Sequence, residues 1–275
     1  MSLAIIPNMK LLSESPRILT IDSFLTPEEI EELITIGRTD ERESTVVDGQ
    51  SGEVRASSYR VCKITYLDPK KQSIVSDILI RLAAAAKCRP EQIEGLQILR
   101  YPIGGHYFPH VDPFDSRNPL LKKSLTMGGQ RIASVIIGLK KADKGGETDF
   151  NKLRMSVLLE PGQALMFWSL HADGMINYQT EHSAMPVLEG EKIVLVTWIR
   201  ERKFDGSEEV PEPLNESQLQ RSLDHAKKTR EIECDRALKS ALEHFNCKLE
   251  NTSEPILDPI TGEIHVRREI RIVSQ

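Results

Sequence analysis

Ile132-Ala133-Ser134-Val135-Ile136-Ile137-Gly138-Leu139 is a run of aliphatic and β-branched residues with charge on either side, too short for an ordinary buried helix, and it predicts a buried strand. Three more runs of this kind follow it: Met155 to Leu159, Ala164 to Leu170 and Ile193 to Arg200, separated by Gly, Pro and charged turns. Upstream, Leu96 to Tyr101 reads as extended and Pro16 to Phe24 as a short strand. Only two convincing helices come before this series. The first starts at Leu25 and runs to about Gly37, with Thr26 as N-cap, Pro27 at the first helical position and Glu29 completing a capping box. The second spans Lys71 to Lys87, where Ile74, Ile78, Leu79, Leu82 and Ala83 recur at helical spacing. An alternating Rossmann layout needs helices between its strands, and the sequence offers none. The fold class is therefore mainly β with flanking helices, a mostly antiparallel double-sheet barrel.

The chain has 275 residues, 39% of them apolar and 28% charged, with a net charge of -5. That is enough to bury a sizeable core, and it excludes extended disorder and a broad basic surface for nucleic acid. Cys62, Cys88, Cys234 and Cys247 form no CxxC pair, so neither a zinc knuckle nor a dithiol motif is expected. No leader-like or membrane-length apolar segment is read at the N-terminus or elsewhere, so the expectation is a soluble, intracellular, cytoplasmic protein without a membrane partner. The character changes after Trp198. Residues 1–200 are expected to form the main domain and 201–275 a C-terminal extension, with a linker from Arg200 to Pro213, a helical stripe from Glu216 to Phe245 and a final strand within Pro255 to Ser274. The extension is expected to pack on the barrel or on a partner, a homodimer included.

His110 and Asp112 form a His-X-Asp pair, and His182 follows far downstream. Two imidazoles and one carboxylate on one face of an octahedral ion leave three positions open, the donor set of non-haem Fe(II) oxygenases. Residues two apart on a strand point to the same side, so His110 and Asp112 can converge while His182 arrives from a neighbouring strand. Two bland readings stand beside this. A structural zinc site would use similar donors, although such sites usually take four protein ligands. A degenerate barrel would bind metal without catalysis. His106 and His171 are read as polar loop residues rather than ligands. Gly104-Gly105 and Gly145-Gly146 supply turns, without the spacing of a nucleotide-binding loop.

Several ordered motifs carry a resemblance that runs from about Ile18 to Arg200. They are Phe24-Leu25-Thr26-Pro27-Glu28-Glu29, Arg55-Ala56-Ser57-Ser58, Glu94 to Tyr101, the His110/Asp112 segment, Gly145-Gly146-Glu147-Thr148-Asp149-Phe150, His182 to Val187, Gly190-Glu191-Lys192 and Trp198. In these the chain resembles the 2-oxoglutarate and Fe(II)-dependent dioxygenases, and within them the prolyl 4-hydroxylase group. The resemblance implies a double-stranded β-helix (jelly-roll) barrel and three catalytic iron ligands, His110, Asp112 and His182. It implies that Lys192 pairs with the remote carboxylate of 2-oxoglutarate, that Tyr101 helps hold this cosubstrate, and that Thr148 and Tyr107 line its pocket. O2 is the second cosubstrate, and oxidative decarboxylation of 2-oxoglutarate is coupled to hydroxylation. Asp112 stands against the related halogenases, in which a small residue replaces the carboxylate. A prolyl residue in a peptide or protein is the leading substrate, with a free amino acid or other small metabolite as the alternative. Gly138 stands where a tyrosine is common in the family, and the space it leaves is open or filled from elsewhere, Tyr107 being one candidate.

Overall fold

The apolar run around Val135 becomes the strand Arg131–Lys140 in the computed structural model, which describes residues 8–47, 54–56, 59–116, 121–204, 247–257 and 264–274. It lies inside an eight-stranded sheet with the order Met9–Ser13, Ile18–Ile21, Ala164–Trp168, Arg131–Lys140, Lys192–Arg200, Gln97–Tyr101, Lys63–Tyr66 and Arg42–Glu43. A second sheet has the order Met155–Val157, Thr148–Phe150, His182–Ala184, His106–His110 and Arg60–Val61. The pairings within both sheets are antiparallel. The sheets face each other. Phe167 of the first meets Phe150 of the second edge to face at 5.1 Å, and Tyr101 and Val194 share an apolar cluster with Tyr107 and Ala184. This is the jelly-roll architecture that the strand pattern and the resemblance imply.

Alternation along Arg131–Lys140 divides its side chains between two jobs. Ala133, Val135, Ile137 and Leu139 turn outward into a core shared with Leu33, Ile74, Ile78 and Leu82 of the helices Pro27–Gly37 and Ser73–Ala86. Ser134, Ile136 and Gly138 take the opposite face, between the sheets. The helices thus buttress one side of the main sheet and leave the other for chemistry. Their starts and stops follow local rules. The capping box is formed in full, with the Thr26 hydroxyl accepting from Glu29 N at 3.3 Å and Glu29 Oε2 accepting from Thr26 N at 2.9 Å. Arg81 on the second helix ties the two together, donating to the Phe24 carbonyl at 2.9 Å and to Glu29 Oε1 at 2.6 Å.

Elsewhere the elements are shorter than the apolar runs that announce them. The Pro16 to Phe24 strand is confined to Ile18–Ile21, and the Met155 to Leu159 run to Met155–Val157. Met9–Ser13, paired with Ile18–Ile21, has no comparable sequence signal because Lys10 and Ser13 interrupt a short apolar run and none of its five residues is buried. The charged stretch after Thr39 contributes a paired ribbon, Thr45–Val47 against Val54–Ala56. The expected helical stripe from Glu216 to Phe245 lies outside the described residues, as does the expected linker beyond Phe204. In a separate compact unit, Cys247–Leu257 and Ile264–Ser274 form an antiparallel hairpin, so the expected final strand has a partner of equal length. Among the described residues, no helix is long and apolar enough to cross a membrane.

Candidate metal centre and cosubstrate pocket

His110 closes the strand His106–His110 directly opposite His182, the first residue of His182–Ala184. Cross-strand pairing brings the two rings to 4.4 Å across 71 intervening residues of sequence. Asp112 is not in the strand. It lies two residues past its end, in a bend, so simple strand alternation does not place its carboxylate. A turn of the chain does, assisted from the other sheet by the Ser134 hydroxyl, which donates to Asp112 Oδ2. The loop is held further on, where Gln130 accepts from Phe114 N at 2.7 Å and donates to the Phe114 carbonyl at 2.6 Å. His110 Nε2 stands 3.6 Å from one Asp112 oxygen and His182 Nε2 3.7 Å from the other.

The donor set fits Fe(II). One ligand atom from each of His110, Asp112 and His182 falls within 4.8 Å of the others. Both histidines place Nδ1 against a carbonyl two residues upstream, Phe108 O at 2.8 Å and Thr180 O at 3.1 Å. Nδ1 therefore carries the hydrogen and donates, which leaves the Nε2 lone pair for a metal. Burial, followed by the neighbouring His182, pushes the His110 pKa down to about 3, so this imidazole stays neutral. Burial alone raises the Asp112 pKa, but His182, His110, Arg131 and the Ser134 hydroxyl outweigh it, and the carboxyl is held below its ordinary value. The result is a carboxylate anion beside the neutral His110 imidazole. Phe150 and Phe167, both fully buried, pack against His182 at 5.8 and 4.8 Å and keep that side dry.

The three expected cosubstrate residues also come together. Tyr101 and Lys192 are a cross-strand pair in the main sheet, with the Lys192 ammonium 5.5 Å from the Tyr101 ring centre. Lys192 is only 7% exposed and forms no ion pair among the described residues. Burial pushes its pKa down to about 8, against a weaker opposing pull from Glu147. Thr148 is buried and lines a small cavity with Lys192, Gly146 and Gly138. Gly145 and Gly146 shape the approach. Both have positive φ, 74° and 77°, and a Cβ on Gly145 would meet Pro186 O at 2.3 Å. Tyr107 is engaged with the metal centre instead, its ring stacked on His110 at 3.6 Å.

Gly138 leaves no vacancy for a ring. A Cβ there would stand 2.5 Å from the Glu160 carbonyl oxygen and 3.2 Å from the Leu159 Cβ, so the neighbouring backbone fills the space and Tyr107 does not. Gly138→Ala is accordingly expected to lower stability by about 1–3 kcal/mol, because the contact is with backbone that cannot swing aside. Thermal unfolding of the variant checks this, and an unchanged or raised midpoint would show that the site has free volume.

His106 lies on a strand rather than in a loop, with Nδ1 on the Gly104 carbonyl at 2.8 Å, and stays outside the ligand cluster. His171 is exposed in a turn. Sequence reasoning did not single out Ser134, because one hydroxyl in an apolar strand carries no mark of its partner. It also passed over the network behind the site. Glu94, 1% exposed, accepts from Arg131 Nε and Nη2, each at 2.7 Å, and from Arg200 Nη1 at 2.8 Å. Arg131 in turn lies 3.7 Å over Trp198. A charged residue inside the run Glu94 to Tyr101 was the available signal, since buried carboxylates need cationic partners.

Residues 96–200, which contain Tyr101, all three candidate ligand residues and Lys192, match the sequence profile of the 2OG-Fe(II) oxygenase superfamily. Two Arabidopsis thaliana proteins, probable prolyl 4-hydroxylase 8 and probable prolyl 4-hydroxylase 6, are 32% and 34% identical to the chain. The alignments span 72% and 70% of this chain and 73% and 72% of theirs. The chain belongs to the 2OG-Fe(II) oxygenase superfamily. It is a 2-oxoglutarate-dependent dioxygenase of the prolyl 4-hydroxylase-like group, using Fe(II), 2-oxoglutarate and O2. In three dimensions this oxygenase is similar to the 2OG complex of the viral collagen prolyl hydroxylase from Paramecium bursaria Chlorella virus-1. The TM-score is 0.52 at 25% identity, covering 66% of this chain and 95% of the viral one.

Proposed function

We propose that this oxygenase hydroxylates prolyl residues of a peptide or protein, with His110, Asp112 and His182 holding iron and Lys192, Tyr101 and Thr148 holding 2-oxoglutarate. Bound together, Fe(II) and 2-oxoglutarate supply the oxidising power that turns O2 and a substrate C–H into C–OH, succinate and CO2. The chain's own residues supply the rest. His110 stays neutral, both histidines present Nε2, Asp112 stays ionised under the Ser134 hydroxyl, and Lys192 offers a buried positive charge to a carboxylate. Phe150 and Phe167 exclude water beside His182, which limits unproductive oxidation.

The observation that carries the peptide reading is an unbroken series of rings from the metal centre to the surface. His182 and His110 are 4.4 Å apart, His110 and Tyr107 3.6 Å, Tyr107 and Tyr59 6.1 Å, and Tyr59 and Phe108 5.4 Å. Tyr59 and Phe108 are each 41% exposed. Flat aromatic surfaces suit proline rings and extended polyproline segments. The relatives named above are prolyl 4-hydroxylases, which supports the same chemistry. Purified protein with Fe(II), 2-oxoglutarate and O2 is expected to add one oxygen to a proline-rich peptide, with one succinate formed per oxygen added, and to leave free proline unchanged. Succinate formation stimulated by free amino acids but not by peptides would replace this reading with the small-metabolite one.

A further inference from the structure

Arg60 begins the strand Arg60–Val61 at the edge of the five-stranded sheet and pairs with Tyr107 across the ladder. Its guanidinium carbon lies 5.1 Å from the Tyr107 ring centre, and that ring stacks on His110 at 3.6 Å. A cation thus stands one aromatic ring away from a ligand imidazole. The same guanidinium lies beside the Tyr101 hydroxyl and the Cys62 thiol, and its charge is felt at His110. Arg60 Nε is sealed from solvent and has no hydrogen-bond partner. Among the described residues no carboxylate pairs with Arg60, whereas buried Arg200 and partly buried Arg131 both hold Glu94.

A guanidinium whose Nε is sealed from water without a partner is costly, and a donor left unmatched beside two tyrosines points to an acceptor that arrives from outside. Lys192 stands across the strand pairing from Tyr101, where Glu147 exerts an opposing pull on its charge. Arg60 is tied instead to the ligand histidine through Tyr107. We propose that Arg60, with the Tyr101 hydroxyl beside it, binds the metal-end carboxylate of 2-oxoglutarate, so that two cations hold the cosubstrate, Lys192 at the remote carboxylate and Arg60 at the near one. This rests on membership of the oxygenase superfamily and not on the prolyl substrate. Arg60 is a binding and positioning residue here, since it does not touch the metal donors themselves.

The test needs no prime substrate, so its failure is separable from failure of the prolyl reading. The protein loaded anaerobically with Fe(II) is titrated with 2-oxoglutarate through the visible charge-transfer band, and 4-oxopentanoate is titrated as a competitor. 4-Oxopentanoate keeps the remote carboxylate and the oxo group of 2-oxoglutarate and carries a methyl group in place of its 1-carboxylate. Arg60→Met is expected to weaken 2-oxoglutarate by roughly tenfold or more and 4-oxopentanoate by less than about twofold, with Arg60→Lys intermediate. Lys192→Met is expected to weaken both. Equal weakening of the two ligands by Arg60→Met would overturn the proposal, since it would signal general disturbance of the pocket. Unchanged 2-oxoglutarate binding would overturn it as well, and a raised KM for a peptide in that case would reassign Arg60 to the substrate. Should Arg60→Met fail to fold, Arg60→Gln removes the charge while keeping hydrogen-bonding capacity and gives the same contrast.

Discussion

His182→Ala protein is expected to form succinate at least about a thousandfold more slowly than the parent and to show no charge-transfer band with Fe(II) and 2-oxoglutarate. The loss follows from geometry. His182 Nε2 faces the Asp112 carboxylate at 3.7 Å from the opposite strand, and no other histidine, cysteine or carboxylate among the described residues joins this cluster. Two donors, His110 and Asp112, are then left to hold an ion that the full set holds with three. The ring also packs between Phe150 and Phe167, so truncation leaves a partly apolar hole. Some loss of stability is expected on that account. Thermal unfolding of the metal-free proteins separates the two effects: the midpoint shift is present without metal, while the loss of turnover and of iron stoichiometry is not explained by it. Turnover within tenfold of the parent would remove His182 from the ligand set. Retained metal with no succinate from the parent itself would favour a zinc or degenerate-barrel reading.

Lys192→Met changes two quantities in opposite directions. Anaerobic affinity for 2-oxoglutarate is expected to fall by roughly a hundredfold, because a buried charge-assisted pair with the remote carboxylate is lost. Stability of the free protein is expected to rise by about 1–3 kcal/mol near neutral pH, since a buried ammonium without a partner is replaced by an apolar chain of similar length. The sign of the pH dependence follows from the direction of the shift. Burial lowers the folded-state pKa from the ordinary 10.5 to about 8, so between these values the unfolded chain binds more protons than the folded one. Parent stability therefore gains relative to Lys192→Met as pH rises from about 8 toward 10.5, and the advantage of the variant shrinks over that window. Cosubstrate binding runs the other way. It requires the ammonium, so affinity declines above about pH 8 in the parent and is flat there in the variant. Denaturant midpoints and anaerobic titrations across this range measure both. A parent whose affinity for 2-oxoglutarate is unchanged across pH 8 to 10 would show that Lys192 does not carry the contact.

The sequence was legible wherever the controlling physics is local. Thr26, Pro27 and Glu29 announce a helix start because the orphan N–H groups of a first turn are satisfied by side chains within three residues. The alternation Ala133, Val135, Ile137, Leu139 against Ser134, Ile136, Gly138 assigns faces because a strand repeats every two residues. His110, Asp112 and His182 were recognisable as donors because their chemistry is intrinsic, and Lys192 because a lysine inside an apolar run needs a reason. Strand ends and the weak strand Met9–Ser13 were not legible, since pairing with a neighbour decides them and not composition.

Other features belong to the tertiary structure alone. The route of Asp112 is one: the residue leaves the strand, and Ser134 from the facing sheet fixes its oxygen. Gly138 is another, where the Glu160 carbonyl converts an apparent vacancy into a steric requirement. The charge state of Lys192 depends on how deeply the sheets bury it, and the unmatched Nε of Arg60 depends on which neighbours the edge strand meets. From the sequence by itself came the types of the main elements, the helix cap at Thr26 and the candidate donors, because these rest on local pattern and on the chemistry of single side chains. Only the folded chain decided which distant residues share a dielectric environment, a van der Waals boundary or a proton, because those energies depend on separation in space and the sequence does not record it.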